Sequence, residues 1–398
     1  MSAVLPPVQN QRVWSRMLQG LDPILCATIG ILMAVGIVVV ASASISIADQ
    51  VTGDPFYYLR RQLLFLALGL GVAFVLYQIP LEIWERSGFA FLVLGLFLLL
   101  VVLFPGVGRE VNASVRWIAL GPFHLQVAEP ARLCLVLYVA GYMVRRRDEL
   151  SHYFSGFFKP VLVAAIASFL LLLQPDFGAA IVLLMTVLTM LFLGGVRMRD
   201  FSLLGGIGAM SMAGLAFSEP YRVERITAFL NPWADPFNSG FQLTQSLIAI
   251  GRGEWLGVGP GGSVQKLFYL PESHTDFIYA VLAEEFGLLG GLLVIALFAV
   301  LTWRCLDIGN RACAAGHRFG AAVCWGIGAW VGFQAAINIG VNMGLLPTKG
   351  LTLPLISYGG SSVLVTLAGM ALVLRVCREI TPVTNRRRGR PTRGEVSA

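Results

Sequence analysis

Apolar residues come in runs of about 18 to 22 along nearly the whole chain, the length at which a helix crosses a bilayer core. Short polar or charged breaks separate them. The pattern predicts ten spans, at 22–45, 60–79, 87–104, 125–144, 160–174, 177–195, 201–218, 277–301, 319–341 and 358–377. The expected fold is all-α: a polytopic integral membrane protein of about ten transmembrane helices. A short N-terminal tail (1–20) precedes one membrane domain (21–380), and a basic tail (381–398) follows that is expected to be disordered. The first run is too long for a cleavable signal and is expected to be a permanent helix.

The breaks carry more information than the spans. Gln174-Pro175-Asp176-Phe177-Gly178 separates the fifth and sixth runs. Proline and glycine interrupt a helix, and a carboxylate is costly at mid-bilayer, so this turn belongs at a membrane surface. Three longer breaks stand out: 105–124, 219–276 and 342–357. The second, between helices 7 and 8, is long enough that a functional role is expected. The third mixes Gly and Pro with apolar residues and is expected to be partly re-entrant. No internal repeat is visible, which disfavours an inverted-repeat transporter.

Lys and Arg orient the spans. Arg145-Arg146-Arg147, Arg197 with Arg199, Arg304 with Arg311 and Arg318, and Arg386-Arg387-Arg388 all fall on one side. The positive-inside rule makes that side cytoplasmic, with both termini inside and the three long breaks outside. Composition agrees: 57% of residues are hydrophobic and 13% charged, against roughly 25% charged in soluble proteins. The net charge of +7 is thereby a matter of topology, and nucleic-acid binding is excluded. None of the six cysteines falls in an expected outer loop, so no extracytoplasmic disulfide is expected. The four histidines are scattered without metal-ligand spacing.

Candidate chemistry lies on the outer side. The long loop ends in Tyr269-Leu270-Pro271-Glu272-Ser273-His274-Thr275-Asp276-Phe277. Thr275 is a suitable N-cap, which would put Asp276 in the first turn of the eighth span. There it is either a partner for the helix dipole or a functional acid. Glu284 would lie on the same face about 12 Å deeper. Carboxylates such as Glu284 and Glu285 within a span usually face an interior cavity. Glu129 and Arg132, three residues apart, share a face near the outer end of the fourth span. They are either a structural ion pair or the wall of a charged cavity for an anionic headgroup. The glycine-rich stretch 251–262 lacks a P-loop ending and reads as a flexible wall. Arg116, Arg252, Lys266 and Lys349 are the cations that could meet a pyrophosphate.

Several motifs, in order, carry a resemblance. They are Arg116-Trp117-Ile118-Ala119-Leu120-Gly121-Pro122, the Gln174–Gly178 turn, and Asn231-Pro232-Trp233-Ala234-Asp235-Pro236 before Gly240-Phe241-Gln242-Leu243-Thr244-Gln245-Ser246. Val264-Gln265-Lys266 then precedes Tyr269-Leu270-Pro271-Glu272 and His274-Thr275-Asp276-Phe277-Ile278, and Leu346-Pro347-Thr348-Lys349-Gly350 leads into the 353–362 run with Ser357-Tyr358. Over residues 20–380 the chain resembles the shape, elongation, division and sporulation (SEDS) polymerases. Gln265-Lys266 and the Pro-Thr-Lys-Gly-Leu-Thr run favour the division branch over the elongation branch.

The resemblance implies a peptidoglycan glycosyltransferase. It would join lipid II, an undecaprenyl-pyrophosphate-linked disaccharide peptide, into glycan strands at the division septum of the bacterial inner membrane. It implies that Asp276 is the catalytic base and that the reaction inverts the anomeric centre. Arg116, Trp117, Gln126, Glu129, Arg132, Lys266, Glu272, His274, Thr275, Lys349, Ser357 and Tyr358 are the expected substrate-binding residues. Charge on the leaving pyrophosphate would be met by Arg, Lys or a divalent cation, Mg2+ or Mn2+, for which the sequence indicates no ligand set. The implied partners are a class B penicillin-binding protein transpeptidase and other division membrane proteins. A lipid II flippase and a non-catalytic scaffold are the competing readings. One departure bears on geometry: Gln126-Val127-Ala128-Glu129-Pro130-Ala131-Arg132 moves the family's proline past the acid and has Arg in place of Lys.

Overall fold

The computed structural model describes residues 20–381 except 112–113, 122, 218–226, 228, 239 and 268. Nearly all of both expected tails, and the opening of the long outer loop, lie outside the described residues. Each of the ten expected spans coincides with a helix. These are α1 (Pro23–Thr52), α2 (Tyr57–Gln78), α4 (Gly88–Val101), α5 (Ala128–Arg145), α7 (Phe154–Leu173), α8 (Phe177–Leu193), α9 (Met198–Phe217), α11 (Ile278–Ala314), α12 (Arg318–Asn342) and α13 (Gly360–Ile380). Two short helices, α3 (Leu81–Arg86) and α6 (Arg147–His152), fill turns between spans, and α10 (Phe241–Gly253) lies within the long loop. Among the described residues, six helices are long and apolar enough to cross a membrane: α1, α2, α7, α11, α12 and α13. The molecule is a multi-pass membrane protein.

Burial sorts the helices. In α12 and α13, 78% of the apolar window is buried, against 22% in α2, so the first two form the centre and α2 faces lipid. Between them runs α5, buried nearly all round, Glu129 and Arg132 included. The start of α1 is locked to α11 by charge. Asp22 caps α1 through Leu25 N (2.9 Å) while Arg304 donates to both its carboxylate oxygens from Nε (3.0 Å each).

Two features add detail to the all-α architecture. Three strands, β1 (Gly108–Val111), β2 (Ser114–Leu120) and β3 (Phe123–Gln126), form an antiparallel sheet in the order β1-β2-β3. Trp117 pairs with Gln126 and Arg109, so Gln126 belongs to a strand and not to the fourth span. Hydropathy counts apolar residues and is blind to the alternation that a strand of Val115, Trp117 and their polar neighbours presents. The second feature is α11. It breaks at Gly287 (φ 67°, ψ −167°) and continues to Ala314, beyond the expected 301.

Loop residues 254–259 satisfy the backbone freed by that break. Val258 N donates to Glu284 O (3.0 Å) and Gly259 N to Glu285 O (3.1 Å). In return Leu288 N donates to Glu254 O (2.8 Å) and Leu289 N to Trp255 O (3.2 Å). This explains the glycine-rich stretch, because a Cβ on Gly257 would lie 2.2 Å from Glu285 O. Only glycine permits two backbones to approach so closely. The third long break, 342–357, packs back into the helix bundle. Its Leu351, Leu353, Leu355 and Ile356 are buried, and Leu355 and Ile356 press against Gly36 midway along α1.

Candidate active site

The segment 271–277 is a run of turns, and α11 starts only at Ile278. Asp276 therefore precedes the helix, and Thr275 is not its N-cap. The Thr275 hydroxyl instead donates to the Glu272 carboxylate (2.6 Å). The Asp276 backbone is fixed by amides from α12: its carbonyl accepts from Asn338 Nδ2 (2.8 Å) and Asn342 Nδ2 (3.0 Å). Asn342 Oδ1 accepts from Ala280 N (3.1 Å), and Asn338 Nδ2 also donates to Leu351 O (2.5 Å). Gln334, one turn earlier on α12, donates to Thr352 O (3.0 Å). Sequence reasoning missed this ladder. Its signal was legible: three amides at i, i+4 and i+8 within an apolar span share one face.

The Asp276 carboxylate meets Arg116 across Gly350. A Cβ placed on Gly350 would lie 3.2 Å from Asp276 Oδ2 and 3.7 Å from Arg116 Nη1. Arg116 reaches out from β2, with Nη2 donating to Ser114 Oγ (2.8 Å) and Pro175 O (3.1 Å) and Nη1 3.7 Å from Asp176. Asp176 caps α8 through Ala179 N (3.1 Å) and accepts from Gln126 Nε2 (3.5 Å). Lys349 stands over the Phe177 ring, 4.2 Å from its centroid. The first sheet, the Pro-Asp turn, the long loop and the segment that follows α12 thus bring together two carboxylates, Asp276 and Asp176, and two cations, Arg116 and Lys349. A side chain at Gly350 would intrude between them. Gly350→Ala is expected to lower the catalytic rate with little loss of stability, and Gly350→Leu to abolish activity, read as initial rate against melting temperature.

Ser357, His274 and Tyr358 back this site. Ser357 Oγ donates to Thr275 O (2.6 Å) and Tyr358 N to His274 O (3.0 Å). The His274 ring lies against Tyr58 and Tyr358, with centroids 4.8 and 5.8 Å away. Burial holds its imidazole below the ordinary 6.5, and the Glu272 charge opposes this only partly. The fold thus favours the neutral ring. That stabilisation is complete above about pH 6.5, where both states are neutral. It is lost as pH falls below that value, because the unfolded chain takes up the proton first. The melting temperature is expected to fall with acidification below 6.5, and His274→Phe to flatten that dependence.

Other expected residues sit elsewhere. Glu129 and Arg132 form a buried pair (3.4 Å), and Arg132 also donates to Gln334 Oε1 (2.6 Å) and lies over the Trp330 ring. They connect to the site through Gln334 and Thr352. Lys266 is directed away from Asp276. Its ammonium contacts Glu285 (2.8 Å), Ser42 Oγ (2.7 Å) and Gly261 O (2.8 Å). Glu284 accepts from Arg252 (2.9 Å), Ser263 and Val264 N (3.1 Å). These two carboxylates clasp the glycine-rich loop onto the break in α11; they do not line an open cavity.

A multi-pass membrane protein with a polar site assembled from the loops between its spans is the class these features define. A family model described as "Cell cycle protein", covering FtsW, RodA and SpoVE, matches residues 23–381, and the chain belongs to this SEDS family. It is 60% identical over 345 residues to the "Probable peptidoglycan glycosyltransferase FtsW" of Nitrosococcus halophilus (strain Nc4), covering 87% of this chain and 89% of that protein. It is 54% identical over 385 residues to the protein of the same name from Thioalkalivibrio sulfidiphilus (strain HL-EbGR7), covering 97% and 96%. Among solved structures, a peptidoglycan synthase complex that coordinates polymerization and crosslinking contains a chain matching with TM-score 0.73 and 32% identity over 90% of this chain and 98% of that one. The rod shape determining protein RodA of Thermus thermophilus matches with TM-score 0.68 and 29% identity, over 91% and 98%.

Proposed function

We propose that this protein is a division-branch peptidoglycan glycosyltransferase that polymerises lipid II on the outer face of the membrane, with Asp276 as general base. The observation that carries the reading is the convergence of the Asp276 carboxylate and the Arg116 guanidinium on Gly350. The relatives' names support the activity. The acceptor's 4-hydroxyl oxygen attacks the donor's anomeric carbon, and its proton passes to Asp276. The bond from that carbon to the pyrophosphate oxygen breaks in the same displacement, so an α-linked donor gives a β-linked product. Undecaprenyl pyrophosphate leaves, its charge balanced by Arg116 and Lys349.

Among the described residues no group of three or more His, Cys, Asp or Glu side chains sits together. A Mg2+ or Mn2+ ion would accordingly be shared between one carboxylate, Asp276 or Asp176, and the substrate phosphates, the usual manner of holding Mg2+. Its chemistry would be to neutralise the leaving group.

The matching synthase complex couples polymerization to crosslinking, which supports a class B penicillin-binding protein as partner here. The charge bias supports cytoplasmic termini, and the relatives' names support a place at the septum with other division membrane proteins. The test is purified full chain with its transpeptidase partner in liposomes carrying lipid II. Glycan strands on a gel support the reading. Translocation of lipid II without strand formation would establish the flippase instead, and neither activity would leave a scaffold.

A further inference from the structure

An apolar cavity of about 400 Å³ lies beside the break in α11. Tyr279, Ala283, Gly287 and Gly291 form one wall, Trp255 of the loop a second, and Met343 at the end of α12 a third. Glu254 is its one charged lining residue, and no Lys or Arg is among the residues that line it. It is therefore built for a hydrocarbon chain and not for a phosphate.

Its depth follows from α11. Arg304, paired with Asp22 at the start of α1, marks the charged edge of the span on that side, and the helix runs on past it to Ala314. From Arg304 up to Leu288 a helix rises about 24 Å, in a hydrocarbon core about 30 Å thick. The cavity is thus at the level of the outer leaflet, just below the outer boundary. Beside it Leu289, Leu292 and Leu293 are about half exposed and face lipid. Trp255, 69% exposed at the same level, occupies the interfacial position that tryptophan favours.

The cavity is also near the reacting groups. Tyr279 is three residues beyond Asp276, and Met343 follows Asn342, whose amide holds the Asp276 carbonyl. A lipid whose pyrophosphate is held at Arg116 and Lys349 must pass its chain into the outer leaflet close by. Ala283 and Tyr279 on one wall and Trp255 on the next offer apolar surface on which methyl branches can pack. We propose that this cavity receives the isoprenoid chain of the lipid-linked substrate, which fixes the headgroup relative to Asp276. The inference rests on the polymerase reading.

The experiment uses a lipid II analogue with a diazirine in its isoprenoid chain, added to the full chain with its transpeptidase partner in phosphatidylglycerol liposomes. Photolabelling is expected within residues 279–291 and at Met343. Met343→Trp with Leu288→Trp, both partly exposed, should fill the cavity, cut that labelling, and raise KM for lipid II about tenfold. Labelling confined to other segments overturns the inference. So does labelling that excess phosphatidylglycerol displaces as well as lipid II does, which would make the cavity a bulk-lipid site. Labelling is read whether or not strands form. Normal polymerisation with labelling elsewhere therefore refutes this inference alone, and loss of polymerisation in the unaltered protein refutes the polymerase reading.

Discussion

Asp276→Asn is expected to reduce the initial rate of lipid II polymerisation by 10²- to 10⁴-fold, the usual contribution of a general base. The protein should melt at an unchanged temperature. The asymmetry follows from how the residue is held. Its position is set by its backbone carbonyl, which accepts from Asn338 and Asn342, and those bonds survive any substitution of the side chain. Asparagine keeps the volume beside Gly350 and loses only the capacity to take a proton. Asp276→Glu keeps the acid but pushes it one methylene further into a space where even a Gly350 Cβ would be crowded, and it should rescue little. Initial rates from strand gels, with melting curves on the same preparations, decide the matter. Polymerisation by Asp276→Asn at more than a tenth of the normal rate would remove Asp276 as the base. The same variant should fail to support division in a depletion strain; survival there would favour the scaffold.

How much of this was legible beforehand varies with the physics involved. Every expected span coincides with a helix, because an apolar run of bilayer length has few other ways to satisfy its backbone. The Pro-Asp turn at residues 175–176 was readable for the same reason, since proline and a carboxylate both end a span. The sheet at 108–126 was not read. Its strands are short, and strand periodicity is a weaker signal than a long apolar run. The convergence of Arg116, Asp276 and Lys349 could not come from spacing, because they lie on three loops brought together by helix packing; only resemblance grouped them. Position within a turn was misjudged for a local reason. Thr275 had the chemistry of an N-cap, but the Glu272 carboxylate competes for its hydroxyl, and helix α11 starts three residues later.

Lys266 marks the other limit, and it yields the second large effect. A lysine on an outer loop beside a lipid-pyrophosphate site invites a substrate role. Its side chain is only 8% exposed, and it meets Glu285, which is fully buried. Removing one member of such a pair strands a charge in a low-dielectric interior, at a cost of about 3–5 kcal/mol. Lys266→Met is therefore expected to lower the melting temperature strongly, and Glu285→Gln likewise. Each would release the loop from the break in α11, where the exchanged hydrogen bonds of residues 254–259 depend on that clasp. The double variant Lys266→Met with Glu285→Gln removes both charges and should recover much of the stability, since neither partner is left ionised and alone. A substrate-binding lysine predicts the opposite pattern: KM rises in Lys266→Met, melting is unchanged, and the second substitution restores nothing. Melting curves and KM for the two single variants and the double variant separate these outcomes. The clasp reading fails if the double variant is no more stable than the worse single one. If it holds, the glycine-rich loop is no flexible wall but a fixed element pinned to the outer end of α11, from which the chain runs directly into Asp276.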